Sequence, residues 1–342
     1  MCGGRLQCAR SGAVGDRAVK KRGGRKSKAR KSAKVANKPQ ETAERSLEGS
    51  SGTTGNLIFQ QKLQLVRLAG VALGGGKTDK TAVAVIEFYP DQKRVFLRSL
   101  RVRISGSVSG KVAGRDETTA DDVLCEILNQ DEKDLSLIAI DAPLQMPKCV
   151  RCRLPCPGVK DCREPEIKWL REVHRRRDRV KRPNKMFTPY TERAVEVHIA
   201  NELEEPFHPS HALGANAAPL TARADVLKRR LQAPLIEVYP KLSLWRIGMA
   251  LNIQKSHLRF HRHAVDSDEA RLYILKKLIE KEITFVYQQD LRTMVEQDIA
   301  FEAFLCALTA FLKLRGQTEK RPVGFPKDES WIEFPRQKLQ WF

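Results

Sequence analysis

Between Leu65 and Ile104 the chain alternates runs of Val, Ile, Leu and Phe with turn signals. Three strands follow, Leu65 to Leu73, Thr81 to Tyr89 and Arg94 to Ile104. Gly74-Gly75-Gly76 turns the first pair and Pro90-Asp91 the second, which makes an antiparallel meander. Thr118 or Thr119 caps a helix to about Asn129, with Asp121 and Asp122 in the first turn where the helix dipole favours acids. Leu137 to Ile140 is apolar on both faces and stops at Asp141, the pattern of a central parallel strand. Pro143 and Pro147 cannot donate to a ladder, so the chain leaves the sheet just after the acid, where open α/β sheets place ligands. Leu235 to Tyr239 repeats the pattern as a fifth strand, holding Glu237 and ending at Pro240.

Longer periods predict helices. Ser267 to Glu282 is one, and Asp290 to Leu314 the last, its core face formed by Ile299, Phe301, Phe304, Leu305, Leu308 and Phe311. The segment GFPKDESWIEFP then closes over the domain as loop and short strand. Between them, 148–232 reads as a basic insertion rich in cysteine at its start. Its helices run from Pro165 to a stop at Pro183, from Thr191 to Glu204 and from Thr221 to Leu231. Three antiparallel strands, a helix, and a strand returning beside the first predict an α/β fold of the ribonuclease-H-like kind. Its mixed sheet passes from antiparallel to parallel strands, with helices on both faces.

Charge changes the picture of partners. The 342 residues carry a net charge of +21, with a pI near 9.8, a field that attracts polyanions, nucleic acid (DNA or RNA) first. Residues 1–60 hold 14 Lys or Arg against 4 Asp or Glu. Their Gly, Ser, Ala and Lys offer little to offset the entropy of ordering, so this segment is expected to be a disordered basic tail and 61–342 the folded domain. No apolar run nears the roughly 20 residues that span a bilayer and no secretory signal is recognised, so a cytoplasmic protein with no membrane partner is expected.

Candidate chemistry falls in three places. Cys149, Cys152, Cys156 and Cys162 lie within 14 residues, a spacing in which four thiolates can close on one tetrahedral ion. Structural Zn²⁺ is expected ahead of an iron–sulfur cluster. Next to them Arg175, Arg176, Arg177, Arg179, Lys181 and Arg182 form a row suited to phosphate contacts. Phe187 and Tyr190 have the stacking chemistry of a base contact, although packing under the loop is the expected role. Third, Asp141, Glu237, Asp298 and Glu302 are the candidate catalytic acids, with Asp298 and Glu302 on one helix face at i and i+4. Asp141, Asp298 and Glu302 together have the oxygen chemistry that Mg²⁺ or Mn²⁺ prefers. GGGKT at Gly74 to Thr78 is not a triphosphate loop, because Val71 replaces the required glycine and a strand follows. His257, His261 and His263 sit among Lys and Arg and read as basic surface.

GVALGGGK, IAIDAPLQMP, EVYPKLSLWRIG and DIAFEAFLCALTAF, in that order over about Leu65 to Pro335, resemble domain-of-unknown-function family 429, a group of predicted nucleases. The resemblance implies a ribonuclease-H-like, two-metal phosphodiester hydrolase or a descendant of one, with Asp141, Glu237, Asp298 and Glu302 at the matching acidic positions. One departure stands out. Where the fold's first strand ends its triplet in aspartate, this chain has Gly70-Val71-Ala72, and two ions ~4 Å apart lose their bridging ligand. Asp79 is a weak substitute. Two functions therefore stay open: a metal-dependent nuclease, and a catalytically inactive nucleic-acid-binding module with a zinc knuckle.

Overall fold

The computed structural model describes residues 65–342 apart from 76–79, 109–116, 132–133, 177–187, 204–208, 210, 215–216, 261 and 263–264. In chain order the elements are β1 (Val66–Ala72), β2 (Ala82–Tyr89), β3 (Arg94–Arg101), β4 (Ser107–Val108), β5 (Glu117–Thr118), α1 (Ala120–Glu126), β6 (Leu135–Ile140), α2 (Lys148–Arg151), α3 (Pro165–Arg176), α4 (Ala194–Glu202), α5 (Ala218–Arg230), β7 (Leu235–Val238), α6 (Pro240–Ala250), α7 (Lys255–Phe260), α8 (Ser267–Glu280), β8 (Thr284–Phe285), α9 (Gln288–Glu296), α10 (Asp298–Leu314) and β9 (Ile332–Glu333).

Seven strands make one mixed sheet in the order β8-β3-β2-β1-β6-β7-β9. β1, β2 and β3 pair antiparallel, and β6, β7 and β9 then extend the other side in parallel. The meander and the parallel return of β6 beside β1 agree with the alternation read from the sequence. β1 and β6 sit at the centre because their apolar runs have no polar face to give to water. Leu68, Ala72, Ile86, Leu97 and Ala139 face a core built on α10, α8 and α6. Ala69, Val71, Val85, Ile138 and Ile140 face the other way, against α1 and α5.

β1 packs closely against α10. A Cβ on Gly70 would lie 2.1 Å from the Ala303 carbonyl oxygen and 2.3 Å from the Ala307 nitrogen. Only a residue without a side chain lets the helix approach so closely. That approach brings the first two turns of α10 alongside the strand ends from which Asp141 emerges.

Several boundaries differ from the sequence reading. The last helix is two: α9 stops at Glu296, and Gln297 takes an extended backbone (φ −123°, ψ 111°) before α10 begins at Asp298. Thr119 caps α1 through a reciprocal capping box with Asp122, after which the chain passes into a π turn, Ile127–Asp131. The helix after β7 was not foreseen, though Pro240 at its first position is the ordinary start signal. Among the described residues, no helix is long and apolar enough to cross a membrane.

Candidate active site

β6 delivers Asp141 beyond the sheet edge, where its own amide donates to the Val71 carbonyl at 3.1 Å. The carboxylate in turn accepts from the Leu73 amide at 2.6 Å. Val71 pairs with Ile140 in register, so Ala72 stands beside Asp141. Strand alternation turns both towards α10, the layer in which Ala72 and Ala139 already pack.

Glu302, in the second turn of α10 and 1 % exposed, lines the same cavity as Asp141, a space of about 340 Å³. Burial first, and then the Glu302 charge, push the Asp141 carboxyl up to about 7, against the Leu73 amide and Arg262, which favour ionisation. One turn below, the Cys306 thiol is pushed well up by burial and then by Asp141 and Glu302. Glu302, 161 positions away in sequence, therefore acts on the Asp141 carboxyl, and the two together act on one thiol.

Cations share the cavity wall. Arg262 pairs with Glu302, and its Nε lies 3.7 Å from the Asp298 carboxylate. Asp298 is half exposed and also accepts from the Ile299 amide at 2.9 Å. Asp298 and Glu302 thus lie on one helix face, as their spacing predicts, with Arg262 across both. Lys241 lines the cavity too. Burial, reinforced by Arg262, holds its ammonium below the ordinary range. Burial pushes the neighbouring Tyr239 phenol up to about 12.

Glu237 reaches this cavity with both oxygens occupied. Arg193, itself buried, donates to them at 2.7 and 2.5 Å, and the Leu144 amide adds a bond at 3.0 Å. Arg193 also holds Glu196 at 2.6 Å and the Ser330 hydroxyl at 3.0 Å. A buried carboxylate gripped by a bidentate guanidinium fixes geometry: β7, α4 and the chain before β9 are clasped together at the cavity wall.

The four clustered cysteines line a separate cavity of about 450 Å³. Their loop is closed by Lys148 and Glu164 at 2.7 Å. Arg171 braces it by donating to the carbonyls of Val159 and Cys162, each at 2.9 Å. Burial, then the other three cysteines, push the Cys149 thiol up to about 11. Among the described residues no three His, Cys, Asp or Glu side chains are already set to hold a metal.

Of the basic row, Arg175 and Arg176 are exposed at the end of α3, with Arg176 3.5 Å from Glu172. Arg177, Arg179, Lys181 and Arg182 lie outside the described residues, as do Asp79, Phe187, His261, His263 and the tail. Tyr190 is half exposed, and His257 stacks on Tyr273 at 4.4 Å. Sequence reasoning missed Arg193, Lys241, Tyr239 and Arg262. Only Lys241 carried a local signal, standing right after the strand-ending Tyr239-Pro240.

A family model described as "Protein of unknown function (DUF429)" matches residues 76–327. No curated protein and no solved structure matches the chain.

Proposed function

This chain belongs to the DUF429 family, and we propose that it is a metal-dependent nuclease of ribonuclease-H-like fold, hydrolysing phosphodiester bonds in the cavity at Asp141. The observation that carries this reading is the meeting of Asp141 and Glu302 there, where the Glu302 charge adds to the cost of ionising Asp141. A hard cation between them would relieve that cost. Mg²⁺ commonly binds through one or two carboxylates, with water and phosphate oxygens completing its shell, so the pair fits one such ion, Mg²⁺ or Mn²⁺. The pair does not fit the two-metal arrangement, because Ala72 offers no bridging oxygen beside Asp141.

When bound, the ion would activate water and neutralise charge building on the phosphate. The chain's own residues do the rest. The Leu73 amide orients Asp141, Lys241 and Arg262 offer cations to phosphate oxygens, and Arg193 locks Glu237 so that β7 keeps its place in the wall. Asp298 is tied to the cavity through Arg262, whose Nε lies 3.7 Å from its carboxylate. The basic tail of residues 1–60, the row Arg175 to Arg182 and the insertion 148–232 with a zinc-bound cysteine knuckle would hold the nucleic acid by its backbone.

A second reading keeps binding without catalysis. Ala72 in place of an acid and Arg262 on Glu302 favour it, since a guanidinium already supplies part of the counter-charge. The two separate in one assay: cleavage of single-stranded, double-stranded and hybrid DNA and RNA with Mg²⁺ or Mn²⁺ by the wild type and Asp141→Asn. The nuclease reading expects cleavage that the substitution removes. Tight binding with no cleavage leaves the binding module, and cleavage surviving in Asp141→Asn removes the site.

A further inference from the structure

α6 begins in the wall of the candidate site. Tyr239, Pro240 and Lys241 line the cavity there. Lys241, Trp245 and Met249 recur every fourth position, so they share the helix face that leads away from it. Gly248 then sets the next element close: a Cβ on it would lie 2.2 Å from the side chain of Leu258, which is fully buried in the core. α7 therefore lies tightly against α6, after a turn in which Asn252 takes a left-handed backbone (φ 56°).

That packing lays two cations on one ring. The Lys255 ammonium is 6.0 Å and the Arg259 guanidinium carbon 5.9 Å from the centroid of the Trp245 indole, whose π system attracts both. Both cations are exposed and stand at i and i+4 of α7, where like charges repel. Among the described residues neither forms an ion pair with an acid. Arg262, three residues past Arg259, is back in the cavity against Glu302 and Asp298. The corner between α6 and α7 thus carries positive charge outward from the candidate site.

We propose that this corner is a track for a nucleic-acid backbone leaving the cavity, with Lys255 and Arg259 meeting the phosphates next to those at Lys241 and Arg262. The proposal rests on the nucleic-acid reading above and deepens it: the substrate is a strand that runs past the cavity, not a lone nucleotide. Lys241 and Trp245 are about 6 Å apart along the axis of α6. Phosphates of one strand follow one another about every 3.4 Å along a duplex, so the corner lies about two phosphates from the cavity. Phosphate is favoured over an acidic peptide because the cations continue the wall of the site where a phosphodiester would be cut. A second copy of the chain is a poor occupant, since a protein of net charge +21 repels itself at a cationic corner.

The test uses the full chain without divalent cation, so that cleavage plays no part, and labelled oligonucleotides of about 20 nucleotides, single-stranded and duplex, titrated over a range of salt. The double variant Lys255→Gln/Arg259→Gln is expected to flatten the dependence of log affinity on log salt by about 1.4 for single strands and about 1.8 for duplex. Lys255→Arg/Arg259→Lys keeps the charges and the wild-type slope. Because the basic tail also binds, the control removes the same charge elsewhere. Lys93→Gln/Lys281→Gln does so at the end of the sheet where Arg94 pairs with Glu282 and β3 with β8, opposite the end that holds Asp141, and should keep the slope. An unchanged slope in Lys255→Gln/Arg259→Gln, or an equal change in the control, overturns the track alone. Poly-glutamate that binds more tightly than either oligonucleotide, and is lost in the same double variant, would assign the corner to an acidic protein partner and overturn it too. If the wild type binds no nucleic acid at all, the functional reading falls with it.

Discussion

The Leu73 amide donates to the Asp141 carboxylate across 2.6 Å, so the residue that leaves β1 aims the acid that leaves β6. The same carboxyl, raised to about 7 by burial and by Glu302, binds its proton more tightly in the fold than in the unfolded chain, where its pKa is about 3.9. The stability it contributes is full below about pH 4 and is lost as pH rises through about 7. Asp141→Asn should therefore melt higher than the wild type at pH 8, by roughly 2–6 °C, with the gap closing towards pH 4. Mg²⁺ should raise the wild-type melting temperature at pH 8 and leave the variant's unchanged. Melting curves across that range, with and without the ion, decide; a gap flat in pH would contradict the raised carboxyl.

Arg193 and Glu237 make a different prediction, because both are buried and each is the other's counter-charge. Arg193→Leu leaves Glu237 and Glu196 buried without their cation, a loss of about 3–5 kcal/mol. Urea unfolding measures it. A cost under about 1 kcal/mol would mean that water reaches these carboxylates.

Gly70→Ala would set a methyl group against the backbone of α10, which has no flexible side chain to move aside. Overpacking usually costs about 1–3 kcal/mol, and this substitution should sit at or beyond the top of that range. Gly75→Ala, whose added Cβ meets nothing within 4 Å, is the control and should be close to neutral. Equal stability of the two variants would show that β1 and α10 are farther apart than described.

Cys149, Cys152, Cys156 and Cys162 share one cavity, and four thiolates suit Zn²⁺. Protein purified without chelator should carry about one zinc per chain, lost in Cys152→Ser and kept in Cys125→Ser, whose cysteine lies on the core face of α1. Metal analysis reads this directly. Equal zinc in wild type and Cys152→Ser would place any bound metal elsewhere.

The hydrophobic pattern was enough to foresee the meander, the parallel return of β6 and the carboxylate at its end, because strand period, turn residues and proline act over a few positions. The i and i+4 spacing likewise put Asp298 and Glu302 on one face, where Arg262 now bridges them. Local pattern failed where neighbours intervene. Gln297 interrupts what reads as one helix, and α6 begins at a proline that looked like a strand's end. Glu237 read as a candidate acid; its partner, Arg193, lies 44 positions away.

By itself, then, the sequence determined the five principal strands, β1, β2, β3, β6 and β7, and that Asp141 ends a central one, while the two-residue strands β4, β5 and β8 carried no such signal. These are properties of short stretches of backbone and of side chains no farther off than a turn. Which charges meet was decided by the tertiary structure alone. Coulomb and desolvation energies depend on distance and burial, and those for Asp141 with Glu302, Arg262 with Glu302, and Arg193 with Glu237 exist only once β1, β6, β7 and α10 are packed together.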